Sequence, residues 1–152
     1  MFPVLTTFRL ILRPLEMADV EQIQNVFPHW DVVRHLSKSV PWPYPPDGAL
    51  RFCRDIAFPE MQRGEGWYWT LRLKSNPEQL IGCISLHKNE TINRGFWMGP
   101  AWQKQGYMSE AADAATDTGL TCLAFRFCAC PKPWPTSRLV ASPKSRECGW
   151  LP

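Results

Sequence analysis

Alternating side chains open the chain: Phe8, Leu10 and Leu12 alternate with Arg9, Ile11 and Arg13, which predicts a strand closed by Pro14. The period then changes. Over Asp19 to Phe27, Val20, Ile23 and Phe27 fall on one face of a helix. The run Val40-Pro-Trp-Pro-Tyr-Pro-Pro46 reads as loop or polyproline and feeds a second helix from about Asp47, with Phe52, Cys53 and Ile56 inward. Trp67, Trp69, Leu71 and Leu73 alternate with Tyr68, Thr70, Arg72 and Lys74, a strand. Ser75-Asn76-Pro77-Glu78 reads as a turn, and Leu80 to Leu86, apolar on both faces as far as Ile84, reads as a central strand. A hairpin leads to a short strand, Arg94 to Met98, ended by Gly99-Pro100. A last helix from Ser109 carries a stripe of Ala111, Ala112 and Ala115. The order is strand, two helices, three strands, helix, which is an α+β pattern.

Composition narrows the class. With 152 residues, 45% hydrophobic, 12% aromatic and 20% charged, the chain is one globular domain in size and is neither disordered, collagen-like nor coiled coil. No apolar run reaches the ~18 residues of a membrane span. Pro3, Thr6, Thr7 and Arg9 interrupt the pattern of a signal peptide, so the expectation is a cytoplasmic protein with no membrane contact. The six cysteines, Cys53, Cys83, Cys122, Cys128, Cys130 and Cys148, are then not a disulfide framework. Cys128 and Cys130 lack a second pair or a nearby histidine, so no metal site is expected.

The net charge of +3 is concentrated at one end: residues 118–152 hold five Lys+Arg against the single acid Glu147, leaving the first 117 residues slightly acidic. The same stretch holds four of the six cysteines and five of the 15 prolines, and shows no assignable periodicity. A basic tail without a stacking pattern gives no reason to expect nucleic-acid binding.

One stretch points to chemistry. Gly99-Pro-Ala-Trp-Gln-Lys-Gln-Gly-Tyr-Met-Ser-Glu-Ala111 runs from a strand exit directly into a helix start. The amides of such a loop and first turn lack intrahelical acceptors, and the helix dipole adds roughly half a positive charge, so an anion such as a pyrophosphate is favoured. Gly106 lets the backbone approach a phosphate, Ser109 is placed to cap the helix or donate its hydroxyl, and Lys104 adds charge at the mouth. A single glycine before a helix is also what an ordinary turn looks like.

The run Gln103-Lys104-Gln105-Gly106-Tyr107-Met108 resembles the Gln/Arg-x-x-Gly-x-Gly/Ala phosphate loop of the GNAT superfamily of acetyl-CoA-dependent N-acetyltransferases. Thr7-Phe8-Arg9-Leu10-Ile11-Leu12-Arg13-Pro14-Leu15 followed by Asp19, then Leu80-Ile81-Gly82 and Gly95-Phe96-Trp97-Met98, are similar to motifs of its ribosomal-protein N-terminal acetyltransferase (Rim-type) branch, in the same order. The resemblance covers residues 7 to about 117. Lys104 stands where that branch commonly has glycine, and Met108 where the loop pattern ends in glycine or alanine.

The resemblance implies a mixed, mostly antiparallel sheet flanked by helices, with acetyl-CoA as cosubstrate and an amine acceptor, either a protein N-terminus or a small molecule. Phe96, Trp97 and Met98 would splay from their neighbour and bond the pantetheine arm through their backbone. Gln103, Lys104, Gln105, Gly106, Tyr107, Met108 and Ser109 would hold the pyrophosphate. Direct attack of the amine on the thioester needs a base. Glu90 is the candidate, against its reading as a solvated hairpin carboxylate. His87 is an equal candidate, against its reading as a surface side chain at a strand end, and Tyr107 reads as packing. Residues 1–117 would then be an incomplete acetyltransferase-like domain and 118–152 a poorly ordered tail. Reread in a shifted frame, permitted codons for residues 118–130 allow Tyr-Trp-Phe-Asn-Val-Leu-Gly-Phe-Pro-Val-Leu-Arg-Val, which resembles the family's C-terminal signature. A frameshift near Asp117-Thr118 is therefore expected, with impaired activity. The alternative is a catalytically inactive remnant acting at most as an interaction module.

Overall fold

Residues 66–73, Gly-Trp-Tyr-Trp-Thr-Leu-Arg-Leu, carry aromatic and branched side chains on both sides of an extended backbone, and the sheet is built around them. The computed structural model describes residues 3–36, 38, 40–88 and 94–121. Strands β1 (Leu5–Thr6), β2 (Leu10–Pro14), β3 (Gly66–Leu73), β4 (Asn76–His87) and β5 (Arg94–Met98) form a sheet in the order β1-β2-β3-β4-β5. Each strand pairs antiparallel with its neighbour in sequence, and no parallel pair occurs among the described residues. Between β2 and β3 lie α1 (Val20–Val26), α2 (Trp30–Val33) and a helical run of α3 (Gly48–Phe52), a π-turn over Cys53–Ala57 and α4 (Phe58–Arg63). Helix α5 (Tyr107–Thr121) follows β5.

The sheet has a different cover on each face. On one, Leu12, Trp69, Leu71 and Ile84 pack against Ala111, Ala112 and Ala115 of α5, whose small side chains let helix and sheet approach closely. On the other, Tyr68 and Leu80 meet Ile23 of α1, Phe27 just after it, Val32 of α2 and Cys53 of the π-turn. A bulge lets β4 serve both: Leu71 pairs with Gly82 but Arg72 with Leu80, so Ile81 is extra and joins Ile84 on the α5 side.

Several sequence expectations are corrected. Phe8 lies in the turn between β1 and β2 and is 90% exposed, because the alternating pattern begins to pair only at Leu10. Ile56 is also exposed. Cys53 is buried and Phe52 half-buried as expected, but the π-turn rotates the helical face so that Ala49 and Ala57 point inward in place of Ile56. The β3–β4 hairpin turns at Lys74-Ser75, with Leu73 paired to Asn76, so the predicted Ser75 to Glu78 turn is mostly strand. Strand β1 and helix α2 were not anticipated, both being too short for a period to show. Cys53 and Cys83 are free, buried thiols, whereas the other four cysteines lie outside the described residues.

One charged pair lies inside this packing. Arg72 and Asp19 form an ion pair with side chains only 4% and 9% exposed. Arg72 also donates to the carbonyls of Glu78 (2.9 Å) and Pro77 (3.3 Å), while Asp19 accepts the Glu16 amide at 2.9 Å. The pair ties the entry to α1 onto β3 and the β3–β4 hairpin. Removing one partner of a buried pair strands the other charge, so Asp19→Ala should lower stability by about 3–5 kcal/mol. Asp47→Ala, which breaks the exposed Arg51–Asp47 pair, should cost about 0.5 kcal/mol or less. Urea denaturation midpoints compare the two; equal, small losses would show that the buried pair does not hold α1.

Candidate functional site

The connection from β5 to α5 is shaped by its own side chains. After Met98, Gly99 donates to the Ile81 carbonyl at 2.8 Å and a 3-10 turn follows over Pro100–Trp102. Gln103 then donates back to the Met98 carbonyl (2.9 Å) and Gln105 to that of Ala101 (3.0 Å). The chain reverses through two left-handed residues, Lys104 at φ 63° and Gly106 at φ 81°. Among the described residues, the amides of Lys104, Gln105, Gly106, Tyr107 and Met108 donate to no backbone acceptor. They form the mouth of α5, where the helix dipole favours an anion.

Arg9, at the start of the chain, holds this loop. Its Nη1 donates to the Gln105 carbonyl at 3.0 Å, its Nη2 lies 3.3 Å from where a Cβ on Gly106 would stand, and its guanidinium covers the Tyr107 ring at 4.4 Å. Glu110, in the first turn of α5, accepts from the Arg9 amide (2.6 Å), Arg9 Nε (2.8 Å) and the Thr7 hydroxyl. Burial works to raise the Glu110 carboxyl, but the hydrogen bonds from Thr7 and Arg9 outweigh it and hold the group below its ordinary range. Arg9 and Thr7 belong to the opening motif, yet nothing in that motif says what they touch.

Gln103 to Ser109, the residues of the expected phosphate loop, form the turn into α5 and its first three residues. Ser109 is the third residue of α5 and therefore not its cap, since the helix begins at Tyr107. Met108 packs with Trp102 and Tyr107 against the α5-side core, so its bulk points away from the mouth. On β5, Met98 is buried, Trp97 stands edge-on to Phe27 at 5.1 Å, and Phe96 is 40% exposed. The far edge of β5 pairs with no described strand. Glu90 lies outside the described residues.

His87 is not a solvated surface group. Its Nδ1 lies 3.1 Å from Glu60 Oε2 and its Nε2 2.9 Å from Ser85 Oγ, with the imidazole side chain 20% exposed. The Tyr68 hydroxyl donates to the same Glu60 oxygen at 2.6 Å, and its ring stands edge-on to the imidazole. Burial, and then Glu60, push the Tyr68 phenol well up, so it remains a donor. Burial also pushes the His87 imidazole below its usual value, with Glu60 partly opposing. Glu60, Tyr68 and Ser85 carry no motif, and 27 residues separate Glu60 from His87. No sequence signal could have joined them.

The chain matches the acetyltransferase (GNAT) domain family over residues 9–144. Among solved structures it is similar to an acetyltransferase from Agrobacterium tumefaciens, with 26% identity, a TM-score of 0.61, and coverage of 82% of this chain and 71% of that one. It also shares its fold with RimJ from Mycobacterium smegmatis in complex with CoA-disulfide, at 16% identity and TM-score 0.64, covering 82% and 67%. RimL, a ribosomal alpha-N-protein acetyltransferase in complex with coenzyme A, matches at 20% identity and TM-score 0.58, covering 78% and 66%. Among curated proteins none matches. Among the described residues no helix is long and apolar enough to cross a membrane, and no three His, Cys, Asp or Glu side chains group as metal ligands.

The left-handed backbone at Lys104 carries a cost of about 1–2 kcal/mol for a residue with a Cβ. Glycine relieves it, less the greater freedom it gains in the unfolded chain. Lys104→Gly should therefore raise the thermal midpoint slightly, by about 1 kcal/mol or less of stability. A clear fall in midpoint, measured by calorimetry, would show that the lysine side chain itself holds the turn.

Proposed function

The chain belongs to the GNAT acetyltransferases, enzymes that carry acetyl from acetyl-CoA to amines, and from that premise we propose that its acceptor is the α-amino group of a protein N-terminus, as in the Rim-type branch. In this reading the amides and side chains of Gln103 to Ser109 receive the pyrophosphate, and β5 from Phe96 to Met98 lies along the pantetheine arm.

The residues present fit that cosubstrate. The observation that carries the reading is the row of amides from Lys104 to Met108 without backbone acceptors, gathered at the mouth of a 15-residue helix. Arg9 holds the row in place through Gln105, and Lys104, exposed in the same loop, carries a positive charge. When bound, acetyl-CoA supplies an activated acyl group; the chain supplies anion binding, a strand edge for alignment and a place for the amine. The protein acceptor is supported by the opening Thr7-Phe8-Arg9-Leu10 motif and by the fold shared with RimL, a ribosomal alpha-N-protein acetyltransferase. A small-molecule amine is the other outcome of an acceptor assay.

The reading of residues 118–152 as an out-of-frame tail rests on the break in charge, cysteine and proline content. Helix α5 runs on to Thr121, with Thr118 bonding its hydroxyl to the Ala114 carbonyl at 2.9 Å. The nucleotide sequence around codon 118 tests this, and the level of activity follows from it: a chain lacking the far wall of its cleft would be impaired or inactive.

Calorimetric titration with CoA tests the site. Gly106→Val should abolish binding, because a β-branched residue resists φ 81° and its Cβ meets Arg9 Nη2 at 3.3 Å. Lys104→Ala should weaken it by about 1 kcal/mol or less, and by less still at high salt, as an exposed charge does. Undiminished binding by Gly106→Val would remove the loop as the phosphate site.

A further inference from the structure

We propose that His87 is the group that takes the proton from the incoming ammonium, and that Glu60 is its positioning residue; this rests on the acetyltransferase reading above. The geometry that points to it lies on the α1–α4 face of the sheet. Ser85 on β4 pairs with Gly95 on β5, just before Phe96. A Cβ built on Gly95 would stand 2.9 Å from Ser85 Oγ and 4.0 Å from His87 Nε2. The missing side chain therefore lets the β5 backbone pass close to the imidazole, with the Ser85 hydroxyl in the place a Cβ would take. Gly95 lies three residues back from Met98, roughly 10 Å along the strand. In the acetyltransferase reading, a thioester aligned along β5 from the phosphate loop would bring its acyl end toward this end of the strand.

The hydrogen bonds settle which nitrogen is basic. Glu60 Oε2 accepts from the Tyr68 hydroxyl and from His87 Nδ1, which must then carry the proton. That leaves the lone pair on Nε2. In the resting protein Ser85 Oγ sits 2.9 Å from it, and the same hydroxyl also reaches the Gly95 carbonyl at 3.4 Å. Turning the hydroxyl proton to that carbonyl leaves the Nε2 lone pair without a donor. The groups facing the ring are Glu60 from α4 and Tyr68 from β3, while Lys88 is turned over the Trp67 ring on the other side of the strand. Burial keeps the imidazole neutral at neutral pH, the form a base requires.

The protons balance. One passes from the ammonium nitrogen to Nε2, and Glu60 stabilises the imidazolium. The freed lone pair forms the N–C bond to the acetyl carbon as the C–S bond breaks with its electron pair on sulfur. A second proton leaves nitrogen for sulfur, giving amide and thiol, and the imidazolium returns its proton to water.

The test compares the full chain with His87→Gln and Glu60→Gln. Nitrogen-15 spectra of the imidazole should show Nδ1 protonated and Nε2 bare at pH 7; protonation at Nε2 would overturn the proposal without any assay of activity. With acetyl-CoA and a peptide bearing a free α-amino group, His87→Gln should lower thiol release 10²–10⁴-fold. It should also lose the acidic limb of the pH profile, with CoA affinity within about threefold. Glu60→Gln should move that limb to lower pH, since the carboxylate raises the imidazole. An unchanged rate and profile in His87→Gln, with CoA still bound, would overturn the base assignment and leave the acetyltransferase reading standing. Failure of the unmutated protein to bind CoA would overturn both. An acetyl group found on Ser85 by mass spectrometry after incubation without acceptor would make that serine a nucleophile and also overturn the proposal.

Discussion

Strands β3 and β4 bury side chains on both of their faces, and this demand for two covers shapes the rest of the molecule. The chain meets it with two unlike solutions. Helix α5 lies close on one face because Ala111, Ala112 and Ala115 keep its inner side thin. The other face receives short helical segments, with Ala49, Cys53 and Ala57 forming a second thin stripe. Burial of this kind is non-directional and does not choose between neighbouring registers of helix on sheet. Specific polar contacts must supply that choice.

Two ion pairs supply it, one for each cover, and their surroundings give them different weight. Arg72–Asp19 is nearly sealed from solvent and joins the start of α1 to β3. Its integrity is a matter of stability, because either charge left alone would be stranded in an apolar layer. Arg9–Glu110 is more open, with side chains 38% and 18% exposed, and joins the β1–β2 turn to the first turn of α5. Solvent screens much of its worth. Its consequence is geometric, since the same guanidinium fixes the Gln105 carbonyl and lies against Gly106. The N-terminal turn thereby sets the shape of a loop about a hundred residues away in sequence.

What was legible in the sequence follows from the range of each interaction. The Ala111-Ala112-Ala115 stripe, the Val20-Ile23-Phe27 face and the two-sided Leu80 to Ile84 run are local patterns, and the structure buries these positions wholly or in part. The turn into α5 was readable because amides without backbone acceptors, here Lys104 to Met108, and a left-handed glycine are properties of a short segment. Even the departure at Lys104 makes sense locally, since it occupies a backbone conformation that favours glycine. Illegible were the features that depend on register. Ile56 was misplaced by a π-turn, and the Glu60–His87–Ser85 cluster exists only because α4 packs where the β3–β4 hairpin ends.

Strand β5 connects the two polar centres, with the amide-lined loop beyond Met98 and Gly95 beside the Ser85–His87 pair near its start. Gly95 and Met98 alone are roughly 10 Å apart along the strand, about one Debye length at 0.1 M salt, and the loop follows Met98. Lys104 is exposed, so its charge is largely screened over that distance. The helix dipole acts mainly within the first turn of α5. The imidazole therefore takes its proton affinity from its immediate surroundings, burial on one side and the Glu60 carboxylate on the other. The groups that shape the loop at one end of β5 and those that set the imidazole's proton affinity at the other are thus separate, each adjustable by substitution without retuning the other.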